Sequence, residues 1–492
     1  MTTKGELGTL EASGLIQVAA VQPELEYLFR HALVQDAAYS SLLKQDRRSL
    51  HKLAAETLLS LYPERRRELA AVIAMHFEQA GDAGTAAEHL IVAGEHALER
   101  FAQREAVSFF ARSAELLPAD DARVDLRLRA ATGTARAGWT FSGLGGALEQ
   151  LERAVATGGE RADRRLLAEA YFWVAFLRRL SGESPESSPQ LKHALEQAEA
   201  IGAALGDPAA HAIPKAFLGV GIMFSGNLRP GALMLSEALD ELEGRSDPVS
   251  TAVLSGFLAM TYARLGEFEA AERAIGRSKR FAAMGDGIAR LDSLIARTAI
   301  HLERGDFADA SALASECAAT SEALGAVSCA VASNVLLGVS RLLLQDAPGA
   351  RAPLERGLEL SLVTYMASLR TIAQGQLGSV NARLGDLKAA EAGWSDSLAA
   401  ARASGDRYGE AMTLWGRAQT HAQQPMPDWS AALSDLDAVL PLLEAMDARP
   451  SLARALRDRA QALRAVDRSR EADEPERRSR EIAGQLGLKD FN

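Results

Sequence analysis

The stretch "EYLFRHALVQDAAYSSLL" at residues 26–43 sets Arg30 and His31 side by side, with Asp36 and Tyr39 a turn or two further on. The cluster has the look of a site. Both groups donate charge-assisted hydrogen bonds, and the imidazole changes charge near neutral pH. Elsewhere the residues that do chemistry are sparse. Cys317 and Cys329 are the two cysteines of the chain, and they form no C-x-x-C. Cys317 falls where repeat positions carry Ala, Ser or Gly, so it reads as a small packing residue. His89 and His96 could share one helix face, but no third ligand follows at metal-site spacing, and His76 with Glu78 makes no H-E-x-x-H. No G-x-x-x-x-G-K-S/T and no G-x-S-x-G occurs. These observations predict a chain that is not an enzyme and that holds neither cofactor nor metal.

The elements that must position these residues are helical by composition. Of 492 residues, 48% are hydrophobic but only 5% aromatic, with alanine and leucine throughout. Both rank high in helix propensity. The 54 basic and 65 acidic residues leave a net charge of −11. The Arg runs at 47–48, 65–67 and 477–478 lie among acids, which predicts solvated helix faces and no direct nucleic-acid contact. The start of the chain lacks the basic and apolar regions of a signal peptide, and no apolar run reaches the length of a membrane span. With two cysteines and no disulfide pattern, a cytoplasmic setting is expected.

A repeat organises the rest. "GEFEAA" at 266–271, "GDFADA" at 305–310 and "GDLKAA" at 385–390 fall on a period near forty residues. Degenerate copies fill the gaps: "GNLRPG" at 226–231, "QDAPGA" at 345–350 and "PDWSAA" at 427–432, with "GESPES" (182–187) and "SGLGGA" (142–147) further back. A second set of turns lies about midway: "ALGD" (204–207), "GRSD" (244–247), "AMGD" (283–286), "ALGA" (323–326) and "ASGD" (403–406). Two turns per unit leave room for two helices of 16–18 residues, Gly ending one and Asp capping the next. Small residues recur five places after the first turn (Gly231, Ala271, Ala310, Ala350, Ala390, Ala432) and again at twelve (Ala238, Ser278, Cys317, Gly357, Ser397). A bulky residue stands at nine: Leu235, Ile275, Leu354, Trp394, Leu436. Small positions let two helix backbones approach while the bulky one fills the adjoining groove.

Leu-Gly pairs at 218–219, 337–338 and 377–378, with the following alanines, resemble the tetratricopeptide repeat. The forty-residue unit resembles the lengthened version in MalT-like activators. The fold class expected is all-α: a right-handed tetratricopeptide-like superhelical solenoid of about forty-residue helix pairs, with a short winged-helix remnant at the N-terminus. Residues 1–60 would form that remnant and a linker helix, 61–206 divergent repeats, 207–446 regular repeats and 447–492 capping helices. In such arrays the first helix of each pair lines the concave side. That would place Val220, Met223, Phe224, Met260, Arg264, Leu302, Glu303, Val339, Leu342 and Arg383 along a groove for a helix, a peptide or an amphipathic small molecule.

The N-terminal segment reads as a helix end, a strand near 15–19, a turn with Pro23, a strand at 26–29, and helix again from about Arg30. Leu28, Phe29, Ala32, Leu33, Ala37, Ser40 and Leu43 approximate a helical stripe. Residues 27–58 resemble the junction in bacterial STAND signalling ATPases, in which an NTPase and a winged helix precede a tetratricopeptide-like sensor. The resemblance implies a signal-transduction role. Through the F-R-H-A-L match it implies contact of His31, with Arg30 beside it, to the phosphates of a nucleotide held by the NTPase. No Walker motif lies within these residues, so that NTPase would act in trans or belong to a longer polypeptide. The function expected is a non-catalytic ligand- or protein-binding sensor or scaffold, its partner a protein, a peptide or a small-molecule inducer. The alternatives are part of a transcription regulator or nucleotide cyclase whose activity lies elsewhere, or a free-standing protein-interaction adaptor.

Overall fold

The computed structural model describes residues 3–22, 25–118, 122–141, 144–184, 187–205, 208–242, 248–364 and 366–491. The turns expected at 204–207 and 244–247, and the Pro23 turn, fall partly or wholly outside them. The chain opens with α1 (Thr3–Ala12), β1 (Ile16–Ala20), β2 (Glu26–Phe29) and α2 (Ala32–Ser41). The helices that follow are α3 (Lys44–Leu61), α4 (Ala70–Ala80), α5 (Ala83–Glu99), α6 (Gln103–Leu116), α7 (Val124–Gly138), α8 (Leu144–Gly158), α9 (Arg164–Leu180) and α10 (Pro189–Leu205). Next come α11 (Pro208–Phe224), α12 (Leu228–Leu242), α13 (Pro248–Leu265), α14 (Phe268–Ala283), α15 (Gly287–Arg304), α16 (Phe307–Leu324) and α17 (Val327–Leu343). The last are α18 (Ala347–Thr364), α19 (Ala367–Arg383), α20 (Leu387–Ser404), α21 (Arg407–Ala422), α22 (Trp429–Met446), α23 (Arg449–Ala465) and α24 (Ser469–Leu486).

From α5 onward each odd-numbered helix packs on the next odd-numbered one, so these form the inner layer, and the even-numbered helices lie against them outside. The repeat positions explain the packing. Ala271, Ala310, Ala350, Ala390 and Ala432 are fully buried, as are Ile275 and Leu354. A methyl group built on Gly338 would come within 2.3 Å of Leu354, and one on Gly378 within 2.6 Å of Trp394. The glycine on the inner helix thus makes room for the bulky residue on the outer one. The small residues twelve after the turn carry a second role. Ser278 and Ser397 donate to the carbonyls of Ala252 and Thr371 at 2.8 and 2.9 Å, and the Cys317 thiol points to that of Leu291 at 3.7 Å. Ser113 and Ser479 repeat the bond to Ala87 and Ala453. Each links an outer helix to the inner helix before it, at a constant separation of 26 residues.

The turns follow the expected chemistry. Gly305 and Gly385 adopt φ of +88° and +92°, the left-handed state that ends a helix without steric cost in glycine. At the degenerate copy Gln345 takes the same state, at +63°. Asp386, Asp406 and Asp428 cap the helices that follow them.

Successive turns of the superhelix touch. Gln103 bonds Asp286 and Ser328 bonds the Trp139 carbonyl, 183 and 189 residues apart. One superhelical turn therefore takes fewer than five forty-residue units. At the N-terminus β1 and β2 pair antiparallel with Ile16 opposite Phe29 and Val18 opposite Tyr27. The helix–hairpin–helix order stands where the sequence predicts it, although α2 begins at Ala32, two residues later than expected.

Candidate functional site

Close winding turns the concave face into a partly open cavity of about 500 Å³. Met223 and Phe224 on α11, Met260 and Arg264 on α13, Leu302 and Glu303 on α15, Val339 and Leu342 on α17, and Arg383 on α19 all line it. Val220 is buried between helices instead. Most of these side chains occupy the last turn of an inner helix, spaced by about one repeat, so the helix pairing brings them to one end of the cavity.

Sequence reasoning missed the other wall. Tyr408, Met412, Trp415 and Gln419 come from α21, one superhelical turn further on, and Arg454, Arg457 and Asp458 from α23, which folds back onto α13 and α15. The side chains of the seam interlock. Tyr408 donates to Glu303 at 3.0 Å, and the Arg264 guanidinium lies 3.7 Å from the centre of the Tyr408 ring. Arg454 donates to the Glu303 carbonyl at 2.9 Å and to Asp490 at 2.8 Å. Burial pushes the Glu303 carboxyl up, although Arg454 and Arg264 pull it down. Burial also raises Asp490, but the Arg454 and Arg457 guanidiniums win and hold it below the usual carboxylate range. The forty-residue period could have indicated Tyr408 and Gln419, which sit on a regular inner helix. Nothing in the period indicates α23.

Asp292 on α15 opens onto the cavity at the other end from Arg383 of the inner-helix register. Among the described residues its Oδ2 finds no hydrogen-bond partner, and burial, with the Asp286 carboxylate nearby, pushes its pKa up to about 8. Cys329 also lines the cavity, and Cys317 lies behind it with a thiol that burial pushes up to about 12. Neither is poised as a thiolate.

Arg30 and His31 do not line this cavity. Both are exposed, and His31 occupies the N-cap of α2 without a side-chain capping bond. Tyr39 bonds His51 at 3.0 Å, and His51 bonds His76 at 2.8 Å, so the tyrosine is drawn to α3 and away from His31. The stripe expected on this segment faces solvent. Leu28, Phe29, Leu33 and Leu43 are exposed, and α2 buries none of its residues. The structure does bring His301, Asp306 and Asp309 together, their ligand atoms all within 4.8 Å. The Lys489 ammonium stands 2.7 Å from Asp306 and already supplies positive charge there. Among the described residues no helix is long and apolar enough to cross a membrane.

No protein-family model matches the chain, and no curated protein matches it. Solved structures do. The chain is similar to a Rap protein crystallised with competence and sporulation factor, at 13% identity over 74% of this chain and 98% of that one, with a TM-score of 0.56. A STAND protein with a tetratricopeptide repeat sensor from Pyrococcus horikoshii matches at 13% identity over 93% of this chain and 65% of that one, with a TM-score of 0.37. Yeast Tom70 matches at 11% identity over 91% and 95%, with a TM-score of 0.34. At 13% identity the likeness to the Rap protein is one of architecture. The chain is an all-α, tetratricopeptide-like superhelical solenoid.

Proposed function

We propose that the chain is a non-catalytic sensor or scaffold that binds a small molecule or short peptide in its central cavity and passes the binding event to a protein partner. The observation that carries this reading is the cavity itself. About 500 Å³ lies within the range of small-molecule sites. Its wall is drawn from at least six inner helices that belong to two superhelical turns, so an occupant would bear on the winding of the whole array. Met223, Phe224, Met260, Arg264, Leu302, Val339, Leu342 and Arg383 are the proposed contacts.

The partner reading rests on the other end of the chain. The exposed apolar residues between Leu10 and Met75 form a surface suited to further protein mass. An NTPase of the STAND type, with His31 and Arg30 toward its nucleotide, fits the resemblance of residues 27–58. In this reading the chain is a cytoplasmic, bacterial sensor, and residues 1–60 dock while 207–446 sense.

The test is to purify the chain from its native host and measure co-purified molecules by native mass spectrometry. Met260→Trp fills the cavity from an inner helix. It should abolish the bound mass while the circular dichroism melt stays within a few degrees. Equal loading of both forms would reject the cavity as the site. If His31→Ala leaves nucleotide exchange unchanged in the complete ATPase, the role given to His31 is wrong.

A further inference from the structure

We propose that the cavity takes an amphipathic carboxylic acid and that Arg383 receives its carboxylate. The proposal rests on the cavity being the ligand site. Five arginines line the cavity: Arg179, Arg264, Arg383, Arg454 and Arg457. Four have their charge answered or sheltered by the chain. Arg454 and Arg457 meet Asp490 at 2.8 and 3.5 Å. Arg264 lies on the Tyr408 ring and pulls on Glu303 and Asp406. Arg179 donates to the Glu183 carbonyl at 3.1 Å and also acts on Asp406.

Arg383 differs. Its Nη1 reaches only neutral acceptors, the Leu342 carbonyl at 3.1 Å and Gln345 Oε1 at 3.2 Å. Among the described residues its Nε finds no hydrogen-bond partner. Burial pulls its pKa down, and the described residues bring no carboxylate to oppose that pull. A buried guanidinium without a counter-anion is costly, and an anion that arrives with a ligand removes the cost. The planar guanidinium suits a carboxylate, which can accept from an Nη that faces the cavity.

The surroundings set the rest of the ligand. Val339 and Leu342 on the neighbouring inner helix are apolar, and Gln376 and Ser379 stand two turns and one turn before Arg383 on its own helix and also line the cavity. The amide and hydroxyl suit the second carboxylate oxygen, and the apolar wall suits a hydrocarbon or aromatic body. The lining holds as many acids as arginines (Asp292, Glu303, Asp406, Asp458 and Asp490), but Arg454, Arg457, Arg264 and Arg179 already answer Asp490, Glu303 and Asp406, and burial raises the Asp292 carboxyl toward its neutral form.

Trp139, Trp415 and Trp429 line the cavity, so intrinsic fluorescence reports its occupancy. The full chain would be titrated at pH 7 with decanoate, decanol, decylamine and decyl phosphate, by fluorescence and by calorimetry. The expected result is saturable binding of decanoate, at least about tenfold tighter than decanol, because a charge-assisted bond is added to the same apolar contact. Arg383→Gln should weaken decanoate about tenfold or more and leave decanol within about twofold, while Arg383→Lys keeps most of the preference for the acid. Equal affinity for decanoate and decanol overturns the proposal, as does an Arg383→Gln variant that binds decanoate like the parent. Decyl phosphate more than about tenfold tighter than decanoate would overturn the carboxylate assignment in favour of a phosphate. Binding of none of the probes overturns it too. Met260→Trp separates the two levels: if it abolishes decanol binding while Arg383→Gln changes nothing, the cavity stands as the site and the carboxylate assignment falls.

Discussion

At the scale of single residues, the packing code of the repeat makes demands that propensity alone would misjudge. Alanine is a better helix former than glycine, yet Gly338→Ala would drive its methyl to 2.3 Å from Leu354, a side chain that is itself fully buried. Overpacking of this kind costs about 1–3 kcal/mol, more than the ~1 kcal/mol gained in propensity. A lower denaturation midpoint with unchanged m-value is expected, and a rise in midpoint would contradict the account. Ser278→Ala tests the linking bond to Ala252. Its loss should cost about 0.5–1.5 kcal/mol. The small size of this position is legible from the period, but its hydroxyl role is not, because Ala238 and Gly357 satisfy the same packing without a donor. Asp292 gives the residue-scale pH prediction. Its folded pKa of about 8 lies above the ordinary 3.8, so the native state holds the extra proton between about pH 4 and 8. Stability then falls as pH rises through that window. Asp292→Asn should flatten the fall and stabilise the chain at pH 7 by on the order of 2–4 kcal/mol, read from urea melts at pH 5 and pH 7.

At the scale of elements, helix ends were the most legible feature and helix contacts the least. The Gly-Asp turns mark ends and caps because left-handed backbone and a capping carboxylate are local requirements. The N-terminal hairpin was legible for the same reason, through its short alternating strands. Where a local rule is broken, a substitution should repair it. Asp467 follows α23 at φ +59°, a state that costs a residue with a Cβ more than glycine. Asp467→Gly is expected to stabilise the chain by about 0.5–1 kcal/mol, seen as a higher thermal midpoint. Gln345 breaks the same rule at +63°, but its side chain also accepts from Arg383, so glycine there would gain backbone ease and lose a cavity contact. The degenerate turn is thus where the strain of one element meets the electrostatics of the site.

At the scale of the whole molecule, the forty-residue period implied a concave face but not how tightly that face would close. Winding follows from a small rotation between neighbouring units, and no single unit encodes it. The contacts that fix it join residues far apart in the sequence, such as Ser328 with Trp139, 189 residues apart, and Tyr408 with Glu303, 105 apart. For this reason the wall from α11 to α19 is legible, α21 is legible only through its place in the period, and α23 is not. The seam should behave as one cooperative unit. Arg454 holds Asp490 and Glu303 together from α23, and its side chain is almost wholly buried. Arg454→Met keeps much of the volume but leaves both carboxylates without their main counter-charge. Removing one partner of a buried ion pair costs about 3–5 kcal/mol, and here the loss falls between turns, not within one. Hydrogen exchange should therefore quicken not only in α23 but also in α13 and α15, against which α23 packs, while α5 to α7 stay protected. If exchange quickens in α23 and α24 alone, the turns are only in contact and not coupled, and an occupant of the cavity could not report through the winding of the solenoid.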